Sequence, residues 1–231
     1  MPSNEGWLGH PDARNPWAND RKLLELYRRR CRRETEEMTS AAQAAEIIAE
    51  TARPGESLLD AGCGGGYYYW SFQSRAPGLA YHGLDHTPAM VELATVEMAK
   101  AGLPAERFQL GDIADLEREF DHTVCFHVLA TSPHYAHLLD RLLACTRKRL
   151  VLRESLADTA GTTYQADAYL DEDKQHIQVY HNTYAMEEMK AFIEARGFSV
   201  VNVPDKRSKN GMEMVCDVPH WWKILVADRR R

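Results

Sequence analysis

Residues 57–67 read Ser57-Leu58-Leu59-Asp60-Ala61-Gly62-Cys63-Gly64-Gly65-Gly66-Tyr67, and this stretch decides the fold. A short apolar run ends in a carboxylate at Asp60, and glycines follow at alternate positions, 62, 64 and 66. An aromatic segment long enough for a helix comes directly after them. The pattern predicts a buried strand, a tight turn and the first turn of a helix. Glycines in the turn allow positive φ angles and let a ligand approach the backbone closely.

The spacing of these glycines distinguishes between ligands. A dinucleotide-binding loop has the pattern Gly-x-Gly-x-x-Gly, in which the third glycine packs the helix against the strand. Here Tyr67 takes that place. A diphosphate would be repelled by Asp60 at the head of the loop, whereas a cationic amino-acid group would be attracted to it. A glycine-rich turn without a ligand is the alternative interpretation.

The pattern Asp-x-Gly-x-Gly-x-Gly resembles motif I of the class I S-adenosylmethionine (SAM)-dependent methyltransferases. The resemblance implies that SAM is the cofactor. It assigns five residues of this segment to the cofactor site: Asp60, Gly62, Cys63, Gly64 and Gly66.

Acids also end the next two predicted strands, at Asp85 and Asp112. The carboxyl ends of parallel strands meet at one edge of an open sheet, and an acid there accepts hydrogen bonds from ribose hydroxyls. The resemblance implies that Asp85 binds the ribose. A carboxylate that caps the helix beginning at Pro88 is an alternative compatible with this role. The family positions that surround the adenine correspond to His86, Met90, Asp112 and Ile113.

The resemblance implies an α/β fold with a doubly wound, mostly parallel sheet. The expected strand order is 3-2-1-4-5-7-6, with strand 7 antiparallel and helices on both faces. Residues 212–216 and 221–227 are expected to form that last strand, interrupted near Pro219. We expect residues 1–54 to be an aromatic arm and helices that cover the site. Residues 55–231 would be the SAM-binding domain, with an acceptor-site insertion at about 156–183.

Bulk composition limits the class of protein and its partners. The chain has 231 residues, a formal net charge of −6 and five scattered cysteines without metal-ligand spacing. The charge argues against a nucleic-acid partner. No apolar run is long enough to span a bilayer, and residues 1–20 lack the apolar centre of a signal peptide. We therefore expect a cytoplasmic protein with a small-molecule acceptor, no metal and no membrane contact.

The residues that leave strand four, Phe126 and His127, correspond to the family position beside the transferred methyl group. The Asn/Asp-Pro-Pro-Tyr/Phe motif of the methylases of planar amines is absent from this place, which argues against methylation of adenine or glutamine nitrogen. His127 is the first candidate for a general base, because an imidazole titrates near neutral pH. A histidine that packs on the cofactor without taking a proton is an equal alternative. His134 and His181 are weaker candidates.

The insertion at 156–183 is rich in residues typical of binding sites. Long loops of this kind are usually functional, and a solvated surface loop is the alternative. Alternation over residues 176–184 indicates a small additional strand. The residues concerned are Tyr164, Asp167, Tyr169, Asp171, Asp173, His176, Tyr180 and His181.

These patterns predict a methyltransferase that moves the methyl group of SAM to an oxygen or nitrogen of a small molecule. One alternative is a methyltransferase that acts on RNA or protein, because residues 28–30, 32 and 33 are arginines. Glutamates follow this run at 34, 36 and 37, which favours a solvated helix face. The other alternative is a SAM-binding protein without catalysis.

Overall fold

A computed structural model describes residues 20–133, 135–167, 170–174, 177–209 and 211–230. The predicted aromatic arm at residues 1–19 lies outside the described residues, and so do three candidate site residues, His134, Tyr169 and His176.

A seven-stranded path forms the centre of the molecule, in the order β3-β2-β1-β4-β5-β11-β8. Strands β1 to β5 run parallel, and β11 is antiparallel to both of its neighbours. With β8 as sixth and β11 as seventh strand, this confirms the predicted order 3-2-1-4-5-7-6. The seven strands are β1 Ser57–Ala61, β2 Ala80–Asp85, β3 Phe108–Leu110, β4 Phe120–Phe126, β5 Thr146–Ala157, β8 Phe198–Val203 and β11 Trp222–Arg229.

Helices cover both faces of the sheet, because successive strand residues point to opposite faces. Leu58 contributes to the core under α1 to α4, and its neighbour Leu59 contributes to the core under α5 and α6. The first helix begins after Asp20, whose carboxylate accepts from the amide of Leu23, as its N-cap position predicts. The helices are α1 Arg21–Cys31, α2 Thr39–Ala49, α3 Tyr69–Arg75, α4 Pro88–Ala99, α5 Tyr135–Cys145 and α6 Met186–Glu194.

The insertion after β5 contains a β-hairpin formed by β6 Gly161–Ala166 and β7 Gln178–Ala185. Strand β7 also pairs in parallel with the end of β5, at Leu156 and Ala157. The additional strand indicated by the alternation over 176–184 is therefore confirmed. The hairpin extends the sheet beyond its carboxyl edge.

The last strand β11 corresponds to the predicted segment 221–227, and a second hairpin precedes it. Residues Glu213–Val215 form β9, and Val218–His220 form β10, in a separate two-stranded sheet. Cys216 and Asp217 between them both have positive φ, 50° and 61°, which is typical of a type I′ turn. The expectation that residues 212–216 belong to the last strand is therefore wrong, because this turn folds the segment back on itself.

No helix in the described part of the chain has the length and apolar character needed to cross a membrane.

Candidate active site

A cavity of about 440 Å³ opens at the carboxyl edge of the sheet. It extends from the loop after β1, past the ends of β4 and β5, to both hairpins. Nine of the predicted cofactor-site residues line it: Asp60, Gly62, Cys63, Gly64, Asp85, His86, Met90, Phe126 and His127. Gly66, Asp112 and Ile113 are not part of its lining. The residues that line its other end include Arg153, Tyr180, His181, His220 and Trp222.

The loop after β1 requires glycine at two positions that line the cavity. Gly62 has φ +79°, and a Cβ there would lie 2.3 Å from Cγ2 of Val128. Gly64 has φ +53°, and a Cβ there would lie 2.4 Å from Cε1 of Tyr27 in α1. The first helix thus closes directly over the glycine loop, and side chains at these positions would both clash and strain the backbone.

The start of α1 is tied to the insertion. The amide of Arg21 donates to Oδ2 of Asp171 at 2.8 Å, and the amide of Asp171 donates to Oδ2 of Asp20 at 2.7 Å. These reciprocal bonds join two segments that are 150 residues apart in sequence. They make the helix and the insertion a common wall of the cavity.

Asp85 organises the loops around it. Its Oδ2 accepts from the amide of Gly64 at 2.8 Å, and its Oδ1 accepts from the amide of Thr87, also at 2.8 Å. The carboxylate therefore caps the turn before α4 and also lines the cavity. Asp85 is therefore placed so that it can cap the turn before α4 and also contact a ligand in the cavity.

Asp60 lies buried beside it and accepts from the hydroxyl of Tyr81 at 2.5 Å. Burial raises the pKa of Asp60 to about 7, with a further increase from the charge of Asp85. Asp112, by contrast, accepts from the amide of Ala114 in its own turn.

His127 has a left-handed backbone conformation and a ring that packs against Trp222. Its φ is +62°, and its amide donates to the carbonyl of Arg153 at 2.9 Å. The ring lies 4.5 Å from that of Trp222, and Nε2 is buried with no hydrogen-bond partner among the described residues. Burial, with the nearby guanidinium of Arg153, holds the pKa of His127 well below its ordinary value. The imidazole is thus neutral near pH 7.

The other predicted site residues of the insertion divide into two groups. His181 and Tyr180, both in β7, line the cavity, and burial lowers the pKa of His181. Tyr164 packs on Tyr180 with ring centroids 4.6 Å apart and is not part of the lining.

Glu154, at the polar end of strand five, is buried under the loop that leaves β4. Its carboxylate accepts from the amides of Val128, Leu129 and Ala130, at 3.2, 3.1 and 2.9 Å. Burial raises its pKa to about 7. Glu154 fixes the backbone that carries His127 and does not line the cavity.

Sequence reasoning missed three residues at the far end of the cavity: Arg153, His220 and Trp222. Arg153 is fully buried and pairs in a bidentate manner with Asp205, with nitrogen–oxygen distances of 2.8 and 2.9 Å. The one available signal was an arginine inside an apolar strand, at the centre of Leu152-Arg153-Glu154. Among the described residues, no group of histidine, cysteine and acidic side chains has the arrangement of a metal site.

Comparisons with known proteins agree with this geometry. A family model described as a methyltransferase domain matches residues 25–203. Trans-aconitate 2-methyltransferase of Deinococcus radiodurans is 37% identical over 93 residues, which are 39% of this chain. The match spans about a third (33%) of that relative's length.

Two solved structures are similar in fold. A SAM-dependent methyltransferase of Clostridium acetobutylicum superimposes with a TM-score of 0.64 at 13% identity, covering 91% of this chain and 98% of that one. Magnesium protoporphyrin IX methyltransferase of Synechocystis with bound S-adenosylhomocysteine (SAH) gives 0.58 at 17% identity, covering 91% and 95%. The glycine loop, the strand order and the family match over most of the chain lead to one conclusion. This chain belongs to the methyltransferase-domain family and has the fold of the class I SAM-dependent methyltransferases.

Proposed function

We propose that this enzyme methylates an oxygen or nitrogen of a small molecule, and that the acceptor binds between β5, β7 and β10. The observation that carries the proposal is the continuity of the cavity. The glycine loop lies at one end, and the other end is closed by aromatic and histidine side chains. Cofactor and acceptor would share this space, as direct transfer requires.

The cofactor end fits SAM chemically. The glycines provide a surface without side chains, and Asp60 and Asp85 are buried acceptors beside it. We assign Asp60 to the ammonium group, Asp85 to the ribose hydroxyls, and His86 and Met90 to the adenine. SAM supplies an electrophilic methyl group on a sulfonium, so the protein's task is to position the acceptor.

The acceptor end is built to orient a small molecule. Trp222 and Tyr180 offer apolar faces with defined geometry, and residues of both hairpins line the cavity beside them. Orientation of two reactants alone can supply on the order of 7–11 kcal/mol. Its lowered pKa keeps His127 neutral and makes it a weaker base than an ordinary histidine, but its unpartnered Nε2 can accept a hydrogen bond from a hydroxyl or amine acceptor and orient that group.

The arginines at the end of α1 and directly after it provide little support for an RNA acceptor, because four of them make contacts within the protein. Arg28 pairs with Glu25, and Arg32 donates to both oxygens of Glu97. The guanidinium groups of Arg30 and Arg33 lie over the rings of Tyr67 and Trp70.

Similar proteins also favour small acceptors. The Deinococcus relative is named for trans-aconitate. A Burkholderia thailandensis structure, with a TM-score of 0.56 at 20% identity over 84% of this chain and 80% of that one, contains 1,6-didemethyltoxoflavin.

Turnover with methyl-labelled SAM tests this proposal. A cell extract is separated into small molecules, RNA and protein, and each fraction is incubated with the native enzyme. The control is the Trp222→Ala variant, which removes an aromatic side chain from the proposed acceptor pocket. We expect label in the small-molecule fraction with the native enzyme and at least tenfold less with the variant, by analogy with the energy of one lost aromatic contact. Label confined to RNA or protein would contradict the proposal, and so would equal labelling by the variant.

A further inference from the structure

Arg153 has one nitrogen atom for which the described residues provide no hydrogen-bond partner. Its Nε and Nη2 donate to the two oxygens of Asp205, which fixes the plane of the guanidinium. Nη1 is buried and has no hydrogen-bond partner among the described residues. A guanidinium can only donate hydrogen bonds, and a buried donor without an acceptor is costly. This unpaired Nη1 belongs to a side chain that lines the cavity.

Three histidines with the same property line the same cavity. Nε2 of His127, Nε2 of His181 and both ring nitrogens of His220 are buried without partners in the described part of the chain. The His220 ring stacks on Trp222 at 4.8 Å and contacts His181 at 5.8 Å, and the guanidinium carbon of Arg153 lies 5.0 Å from the centre of Trp222. Five unpartnered nitrogens therefore surround one end of the cavity.

The chemistry of these nitrogens selects the ligand. Arg153 requires a hydrogen-bond acceptor, and each neutral imidazole brings one N–H of its own. A carboxylate has two oxygens and about four lone-pair positions, so it can satisfy several of these donors at once. Hydrogen bonds from a guanidinium to a carboxylate are also about twice as strong as those between neutral groups. A hydroxyl or amine in this place would leave most of the nitrogens unpaired.

We propose that Arg153, together with His181 and His220, anchors a carboxylate of the methyl acceptor. The enzyme's substrates are thus small organic acids. This inference rests on the proposed function, because it concerns the acceptor that shares the cavity with SAM.

SAM also carries a carboxylate, in its amino-acid group, but the position of Arg153 favours the acceptor. The glycine loop follows β1, whereas Arg153 lies in β5, two strands away in the order β1-β4-β5. Two strand spacings correspond to about 10 Å. The guanidinium of Arg153 lies over the ring of Trp222, on which His220 stacks, and both of these residues belong to the C-terminal strands β10 and β11.

Calorimetry on the full chain saturated with SAH tests the proposal. The probes are benzoate, phenylacetate, indole-3-acetate and succinate, each compared with its own amide. We expect at least one acid to bind at least about tenfold more tightly than its amide. The proposal is overturned if no acid binds at about 10 mM, or if acids and amides bind alike.

Single substitutions test which side chains anchor the carboxylate. Arg153→Lys keeps the charge beside Asp205 but removes the vacant donor, and we expect it to weaken the acid by at least about tenfold while SAH affinity stays unchanged. Arg149→Lys is the matched control, because Arg149 lies in the same strand and pairs with both oxygens of Asp228, but its Nη1 already donates to Ile47. It should leave the acid bound as in the native chain.

His220→Phe keeps an aromatic ring beside Trp222 and removes two nitrogens, so it tests the anchor even if Arg153→Lys does not fold. Unchanged binding of the acid in this variant and in Arg153→Lys would overturn the proposal. A loss of SAH binding in Arg153→Lys would assign the anchor to the cofactor instead. If the native chain does not bind SAH at all, the proposed function fails, and that result is distinct from a failure of the carboxylate anchor.

Discussion

The amide of Gly64 donates to Oδ2 of Asp85 at 2.8 Å, so the acid that ends β2 fixes the loop that follows β1. The other oxygen of the same carboxylate holds the turn before α4. One side chain thereby sets the relative position of two loops that line the cavity. Its removal should affect the shape of the cofactor end as well as its charge.

Asp85→Ala should weaken SAH binding at least about tenfold, because charge-assisted hydrogen bonds contribute about 1.5–3 kcal/mol each. Asp121→Ala is the control: Asp121 also accepts from a strand amide, that of Ser57 at 2.9 Å, but at the opposite edge of the sheet. Calorimetry should give unchanged SAH affinity for that variant, even if its unfolding temperature falls. Equal affinities in both variants would contradict a role of Asp85 in the cofactor site.

Gly64→Ala should destabilise the protein and abolish SAH binding. The new Cβ would lie 2.4 Å from Tyr27, in addition to the strain of a positive φ. Gly55→Ala separates the two effects, because Gly55 has φ +87° but no atom of a described residue lies within 4 Å of the added Cβ. Thermal unfolding should show a modest loss for Gly55→Ala, of the order of 1–2 kcal/mol, and a larger loss for Gly64→Ala. Similar losses would show that the contact with α1 is easily relieved.

The pKa of Asp60, raised to about 7, predicts a pH dependence for cofactor binding. If Asp60 meets the ammonium group, only its ionised form attracts the ligand, so the affinity increases as pH rises through 7. Between pH 6.0 and 7.5 we expect SAH affinity to increase several-fold, the change given by titration of one such group. Asp60→Asn should bind weakly and without this dependence. A native profile that is flat, or that falls with pH, would remove Asp60 from the ammonium site.

His127→Asn tests the candidate base. Asparagine tolerates the left-handed backbone at this position better than alanine does. We expect turnover to fall by about 10²-fold or more for a hydroxyl or amine acceptor, with SAH affinity within a few-fold of the native value. His122→Asn, which alters a buried histidine at the other end of β4, should leave turnover per folded enzyme unchanged. An equal loss of SAH binding and turnover in His127→Asn would assign the residue to the cofactor.

The sheet could be predicted because its signals are local. Apolar runs that end in Asp60 and Asp85 mark strand ends, and parallel strands bring their carboxyl ends to one edge. The carboxylate anchor could not be predicted, because the orientation of the Arg153 guanidinium depends on its ion pair with Asp205, 52 residues later in the chain. The sequence around an arginine in an apolar strand does not show which of its nitrogen atoms find hydrogen-bond partners in the folded protein.

The hairpins show a second limit of sequence reasoning. Neither turn residue, Cys216 nor Asp217, is a glycine, although both adopt positive φ. The chain reversal between β9 and β10 is therefore hard to recognise in the sequence. The predicted strand there was wrong for this reason. His220 lines the cavity from β10, the second strand of that hairpin.

A crystal structure of the full chain with SAH would show whether one cavity holds the cofactor and, beyond it, the acceptor. We expect SAH density along the glycine loop, with its ribose at Asp85 and its sulfur directed toward His127, while the space around Arg153, His220 and Trp222 stays free of the cofactor. SAH bound away from the glycine loop, or with its amino-acid group on Arg153, would contradict this expectation.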